Sequence, residues 1–447
     1  MGAVLSKRKK RKLGVEEVKL VESCMVTPSD ETPRLGLWLS PLDLVLANRG
    51  HTPTVYFYRS DSSAAVFDVA RMKAAMARAL VAFYPLAGRL GVGVHGRAQI
   101  DCAGQGALFV IARSDLAVDD FGSFRPSPEL RRLFVPHVEH DSPPVMCAVQ
   151  VTFMKCGGVA LGTALHHVAA DAISAFHFFQ TWSAFSRDPA AAAALELPVH
   201  DRTLLRPRSP PFVHPDALSV FCPKLNLSEP SGPVVTDTFD ISKDQVAALK
   251  RACAGDSGRV STFCAVSAHV WQCVCVARRL PPDVTTRLTF PASVRRGLRP
   301  PLPAGYFGNG IIWLGAAGKV RDVASSEDLP SVAARITGAV RRMDDELVRS
   351  AIDYLELTLA ETDGQPAPAP AGCMPETELR VISWLGMPVY DVDFGWGKPL
   401  VMLRAVSERA GFVYLMDGGK GDGGVRVHMC TEAAVLSDVR RLLYAKF

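Results

Sequence analysis

Midway along the chain, between His200 and Pro233, seven prolines fall in a stretch with little hydrophobic periodicity. Proline fixes φ and donates no backbone hydrogen bond, so neither a long helix nor a central strand runs through such a segment. The stretch divides 447 residues into two parts. The whole is too long for one ordinary core, and each part suits a core of its own. Strand and helix patterns mix in similar proportion on both sides. The expected organisation is a basic tail over 1–14, a first domain over 15–200, a crossover over 201–233 and a second domain over 234–447. This predicts an α/β protein of two domains with a cleft between them.

The pattern within each half supports this division. Val15 to Val26 alternates as a first strand, and Thr54-Val55-Tyr56-Phe57-Tyr58 is a β-branched and aromatic strand. Helical spacing of apolar residues runs from Val69 to Phe83, with Pro85 just beyond. Cys147–Phe153 and Gly158–Ala164 read as buried strands around the turn Lys155-Cys156-Gly157, and a helix follows from Ala172 through Trp182. Beyond the crossover, a strand at Val234–Phe239 precedes helices at Ser242–Ala254 and Ser261–Arg278. One long amphipathic helix is expected over Leu329–Leu359, then an extended Ala-Pro loop at Pro366–Pro370 and strands from Leu379 to the end.

Charge and composition exclude several classes of function. The formal net charge is +5, but Lys7 to Lys12 supply six positive charges, so five less six leaves −1 for the rest. The body of the chain is therefore no basic nucleic-acid binder. No apolar run reaches the length of a membrane span, and no signal-peptide core opens the chain. A monomer in the cytoplasm is the expectation. The eleven cysteines are odd in number and form no C-x-x-C pair, which fits free thiols in a reducing compartment. At the N-terminus, Met1-Gly2-Ala3-Val4-Leu5-Ser6 matches a myristoylation pattern followed directly by the Lys7–Lys12 basic run. An acyl chain on Gly2 plus a polybasic patch would hold a membrane surface, while a solvated tail or an import-like cluster fits the same residues.

The segment Leu165-His166-His167-Val168-Ala169-Ala170-Asp171 places two histidines at the end of an apolar strand and just before a helix. Catalytic groups collect in such positions because the rigid scaffold aims them into a cleft. A neutral imidazole removes a proton near working pH. The pattern fits a pair of core histidines with a capping aspartate equally well. No H-E-x-x-H and no third ligand at a customary spacing point to zinc, and no G-x-S-x-G elbow points to a serine hydrolase. No metal is expected.

A second segment, Asp393-Phe394-Gly395-Trp396-Gly397, lies in the other half. Together with H-x-x-x-D it resembles the plant BAHD acyltransferase family. Phe83-Tyr84-Pro85-Leu86-Ala87-Gly88-Arg89-Leu90, and Pro300 to Pro303 leading into Tyr306-Phe307-Gly308-Asn309, extend the resemblance from about residue 15 to the end. It implies two chloramphenicol-acetyltransferase-like domains with an active-site channel between them, no bound cofactor, and acyl-CoA as co-substrate. It further implies that His167 is the general base and that the Trp384 indole N–H serves the oxyanion. Asp171 then turns away to pair with Arg295, here in Ser293-Val294-Arg295 where the family usually has Asp-Gly-Arg. Asp393, Gly395, Trp396 and Gly397 are implied to be structural support, and Lys250, Ser261 and Thr262 to meet the CoA phosphates.

The resemblance is sharpest to the hydroxycinnamoyltransferase branch, through His51-Thr52-Pro53-Thr54-Val55-Tyr56-Phe57-Tyr58. His51, Thr54, Tyr56 and Ile382 are thereby candidate substrate-binding residues. Branch members that take shikimate or quinate carry an arginine upstream of Ile382-Ser383-Trp384. Thr358–Leu379 has no Arg or Lys here, but has Glu361, Asp363, Glu376 and Glu378. That favours a small amine acceptor for a hydroxycinnamoyl or benzoyl group. Esters of a neutral alcohol or of shikimate or quinate are the alternative. A condensation-domain-like or non-catalytic relative is more remote.

Overall fold

The fold is described from a computed structural model, over residues 18–59, 67–138, 141–188, 190, 195–255, 258–325, 329–361, 371–418 and 423–445. Gly2, the Lys7–Lys12 run and the Pro366–Pro370 loop lie outside the described residues.

The first part of the chain supplies β1 (Val18–Val26), β2 (Leu35–Trp38), β3 (His51–Tyr58), β4 (Arg89–Val92), β5 (Ala98–Cys102), β6 (Ala107–Ser114), β7 (Cys147–Met154) and β8 (Val159–His166). The second supplies β9 (Val234–Ile241), β10 (Thr285–Ser293), β11 (Ile311–Lys319), β12 (Glu378–Ser383), β13 (Val401–Arg404), β14 (Phe412–Asp417) and β15 (Val425–Glu432). Two mixed sheets result, in the orders β1-β6-β7-β8-β3-β13 and β11-β10-β12-β14-β15-β9, with a small sheet β2-β5-β4 beside the first. The fold is mixed α/β.

Alternation along β3 feeds two cores at once. Tyr56 and Tyr58 pack towards helices Val69–Ala82 and Ala172–Arg187, while Val55 and Phe57 pack towards helix Pro128–Phe134 on the opposite face. Gly162, in the neighbouring β8, makes the second packing possible. A Cβ there would lie 1.7 Å from the Phe134 carbonyl oxygen. The second sheet is covered by helices Lys243–Ala254, Thr262–Ala277, Leu329–Arg341 and Leu436–Tyr444.

One expectation meets a different structure. The single helix over Leu329–Leu359 is two helices, Leu329–Arg341 and Asp345–Ala360. The Asp344 side chain caps the second by accepting from the Leu347 N–H at 2.8 Å. Apolar residues keep helical spacing across the break, so periodicity alone hides it. The proline-rich crossover is packed in place. Phe221 bridges to Leu314, Ser228 to Cys373, and Arg202 is buried against Asp43 at 2.9 Å. Finally, the second half does not keep to itself, because β13 adds to the first sheet antiparallel to β3, with Arg404 opposite Thr54.

Candidate active site

A cavity of about 540 Å³ opens between the two sheets. Its wall takes His51, Thr54, His166, His167 and Asp171 from the first half, and Trp313, Ile382, Trp384, Met402, Arg404 and Tyr414 from the second. Such a volume suits a drug-sized ligand.

His167 sits one residue past β8, and its backbone is held from both sides. Its N–H donates to the Gly50 carbonyl at 2.8 Å, and its own carbonyl accepts from Asn309 Nδ2 at 2.9 Å. Asn309 is in turn fixed by Asp43, which accepts from its N–H at 2.9 Å and from its Nδ2 at 3.0 Å. Arg202 from the crossover completes the same carboxylate's shell. On the ring, Nδ1 is buried without a hydrogen-bond partner, and the residue lines the cavity. Burial lowers the pKa of His167. Its own main-chain oxygen and Asp171 oppose the shift, and Arg49 and Arg404 add to it. The imidazole is neutral at working pH and able to take a proton.

His166 has a different assignment. Its Nδ1 accepts from the Val168 N–H at 3.3 Å, and its ring stands edge-on to His51 at 4.9 Å. Burial, with His51 and His167 nearby, pushes its pKa down to about 3.

Asp171 caps helix Ala172–Arg187 by accepting from the Ser174 N–H at 3.1 Å. Its two oxygens receive Arg295 as a fork, Nη1 at 2.7 Å and Nη2 at 2.9 Å, and the Gly310 N–H adds a further 2.9 Å contact. Burial alone would raise this carboxyl's pKa, but Arg295 and the backbone donors hold it below its usual value. A carboxylate so committed is a poor proton acceptor. Ser293 leaves this fork intact, so the departure from Asp at that position does not disturb the pair.

Trp384 stands at the cavity wall, edge-on to Phe176 at 6.0 Å and near Tyr414 at 6.3 Å. Its indole N–H has no hydrogen-bond partner among the described residues, so a donor is available at the wall. Thr54 meets Thr163 at 2.5 Å, and His51 Nε2 lies 2.7 Å from the Val145 carbonyl.

The Asp393–Gly397 turn does not reach the cavity wall. Asp393 Oδ1 accepts from the N–H groups of Gly395 at 2.8 Å and Gly397 at 3.0 Å, and both glycines hold positive φ, +100° and +94°. Phe394 packs edge-on against Trp182 at 4.7 Å, and Trp396 against Phe67 at 4.4 Å and Tyr58 at 5.6 Å. The turn thus braces the helix that begins at Asp171.

Several expected site residues are elsewhere. Tyr56 is fully buried behind the wall against Phe179, because alternation turns it into the core. Ser261 spends its hydroxyl capping helix Thr262–Ala277, and neither it, Thr262 nor Lys250 lines the cavity. The acids enlisted for an amine also lie outside it. Glu378 pairs with Arg287, and Glu361 ends helix Asp345–Ala360. Asp363 is outside the described residues. Sequence reasoning missed Asp43, Arg202 and the cavity arginines 49, 131, 404 and 409. Only the non-local pairing of β13 with β3 brings Arg404 to the wall. Arg380 is buried over the Trp313 ring at 3.9 Å, with Nε donating to Thr289 at 3.1 Å.

A model of the Transferase family matches residues 16–442. The chain is 46% identical over 441 residues to putrescine hydroxycinnamoyltransferase 1 of Oryza sativa subsp. japonica, covering 96% of this chain and 98% of that one. It is 38% identical to hydroxycinnamoyl-CoA:5-hydroxyanthranilate N-hydroxycinnamoyltransferase HHT4 of Avena sativa, covering 94% and 98%. Among solved structures, vinorine synthase is similar with a TM-score of 0.74 at 25% identity, covering 96% of this chain and 98% of that one.

Proposed function

The chain belongs to the BAHD transferase family and is an acyltransferase that uses an acyl-CoA co-substrate, and from that premise we propose that it transfers a hydroxycinnamoyl group to a small amine with His167 as general base. The observation that carries this reading is the cavity between the sheets, where a neutral His167 and Trp384, whose indole N–H has no hydrogen-bond partner among the described residues, both line the wall. An amine is supported by the relatives with putrescine and 5-hydroxyanthranilate in their names.

The amine nitrogen attacks the thioester carbonyl carbon as Nε2 of His167 removes its proton. A C–N bond forms, and the carbonyl electron pair becomes an oxyanion that the Trp384 N–H stabilises. Collapse of the tetrahedral intermediate breaks the C–S bond, and the imidazolium returns the proton to the departing CoA sulfur. The products are an amide and free CoA thiol. No covalent acyl-enzyme is required, and none of the cysteines lines the cavity. Phe176, Phe179 and Met402 give the wall the aromatic and soft apolar character an aryl acyl group needs.

The test is a matrix of p-coumaroyl-CoA and benzoyl-CoA against amines, alcohols and shikimate. It is read by thiol release and product mass. Amide products, with a loss of about 10²–10⁴-fold in kcat for His167→Ala, are expected. Ester products alone would refute the amine acceptor, and near wild-type turnover by the variant would refute the base.

A further inference from the structure

Three arginines face the cavity without a carboxylate to neutralise them. Arg49 lies on the turn before β3, Arg404 ends β13, and Arg409 lies in the loop that leads to β14. Arg49 sits over the Trp313 ring at 5.9 Å, and Arg404 over the Tyr414 ring at 5.4 Å with Nε donating to the Val406 carbonyl at 3.0 Å. None of the three makes an ion pair among the described residues. They are also near one another: after burial, the charges of Arg409 and Arg404 are what disfavour the charged form of Arg49.

The cavity's own acids do not relieve this crowding. Asp171 is saturated by Arg295, Gly310 and Ser174. Glu408 is exposed at the rim and makes no ion pair among the described residues. Holding like charges together in a half-buried wall costs stability, and an oxyanion on the ligand would offset that cost.

We propose that Arg49, Arg404 and Arg409 form an anion subsite for a carboxylate on the acceptor, so that the amine acylated is an amino acid or an aminobenzoate. The nitrogen nucleophile rests on the reading above, whereas the subsite rests on the arginines alone. CoA also carries anionic groups, but its phosphates lie at the far end of the pantetheine arm from the thioester. Arg49 and Arg404 line the same cavity as His167, so the anion they serve sits in the cavity that holds the reacting atoms. The same charges repel a diammonium acceptor.

Wild-type enzyme with p-coumaroyl-CoA is assayed on matched pairs, tyrosine against tyramine and 3-aminobenzoate against aniline, with putrescine and shikimate alongside. The acid-bearing member of each pair is expected to have the higher kcat/KM. Arg404→Gln and Arg49→Gln are each expected to lower the ratio within a pair about tenfold to a hundredfold. Because the ratio is taken on one preparation, partial misfolding cancels from it. Ratios near one in the wild type, or a preference for putrescine, would overturn the subsite while leaving the amine reading in place. Turnover of shikimate but of no amine, with arginine-dependent KM, would remove the amine and keep the subsite. If the variants raise KM for p-coumaroyl-CoA but not for p-coumaroyl-pantetheine, the cluster serves CoA phosphates and the proposal falls.

Discussion

The loop His166–Asp171 and the turn Asp393–Gly397 are both short connections rich in backbone hydrogen bonds, yet they are secured by different physics. The first is held by polar groups. Asn309, itself held by Asp43, grips the His167 carbonyl, and Arg295 forks onto Asp171. The second is held by a self-capping aspartate and stacked rings, Phe394 on Trp396 at 5.1 Å and both on the first core. The first opens on the cavity, and the second meets only packed side chains. Buried, charge-assisted hydrogen bonds hold a backbone in one geometry, as a cavity-lining loop requires, whereas aromatic packing fixes the helix that follows it. The difference separates a segment that lines the cavity from one that packs, within one pair of family motifs.

Substitutions at the two segments should therefore fail in different ways. The largest effect is expected from His167→Gln, a kcat loss of about 10²–10⁴-fold with little change in melting temperature. A variant that melts early would show that His167 is structural after all. Arg295→Met comes next. It leaves the buried Asp171 carboxylate unpaired and should cost about 3–5 kcal/mol in stability, read by denaturant titration. Full stability in that variant would mean the loop is not held by this ion pair. Trp396→Ala removes a buried ring from the first core and should cost about 3 kcal/mol, with kcat changed only through the fraction folded. A specific kcat loss in fully folded protein would place the turn in the chemistry. Smallest is Gly395→Ala. No atom lies closer than 4.0 Å to the added Cβ, so only the φ of +100° is strained, at about 1–2 kcal/mol.

Titration adds a further contrast. His166, His200 and His428 have folded pKa values pushed down, chiefly by burial, to about 3, about 4 and about 3. The unfolded chain takes protons on these rings as pH falls below about 6.5, while the folded chain does not until about 3–4. Stability should fall steadily over that window. His167 shifts in the same direction, so the acid limb of kcat/KM should lie below pH ~6.5. An acid limb above that value would contradict a buried neutral base.

Much of the fold was legible from local pattern. Helix Val69–Ala82, strands β7 and β8, and helix Ala172–Arg187 fall within a few residues of where periodicity and proline placed them. Such elements are written by neighbouring residues, whose spacing sets which face is buried. The strands β10 and β11 were not read, because Pro291 and the Gly-Ala-Ala-Gly stretch dilute the β pattern, although β10 lies inside the second sheet and β11 forms its edge. The break at Asp344 was hidden by continuous apolar spacing on either side.

For the site, the sequence by itself determined which segments mark the family: a histidine at a strand end, an aspartate four residues on, and a distant aromatic turn. It also set the mixed α/β halves through hydrophobic period and proline. Only the tertiary structure decided that Tyr56 turns inward, that Glu376 and Glu378 stand away from the cavity, and that Arg49, Arg131, Arg404 and Arg409 reach it. Those facts depend on contacts between residues far apart in the chain. Whether a charge is paired or free is a property of the surfaces that meet, and β13 crossing onto the first sheet is what makes them meet.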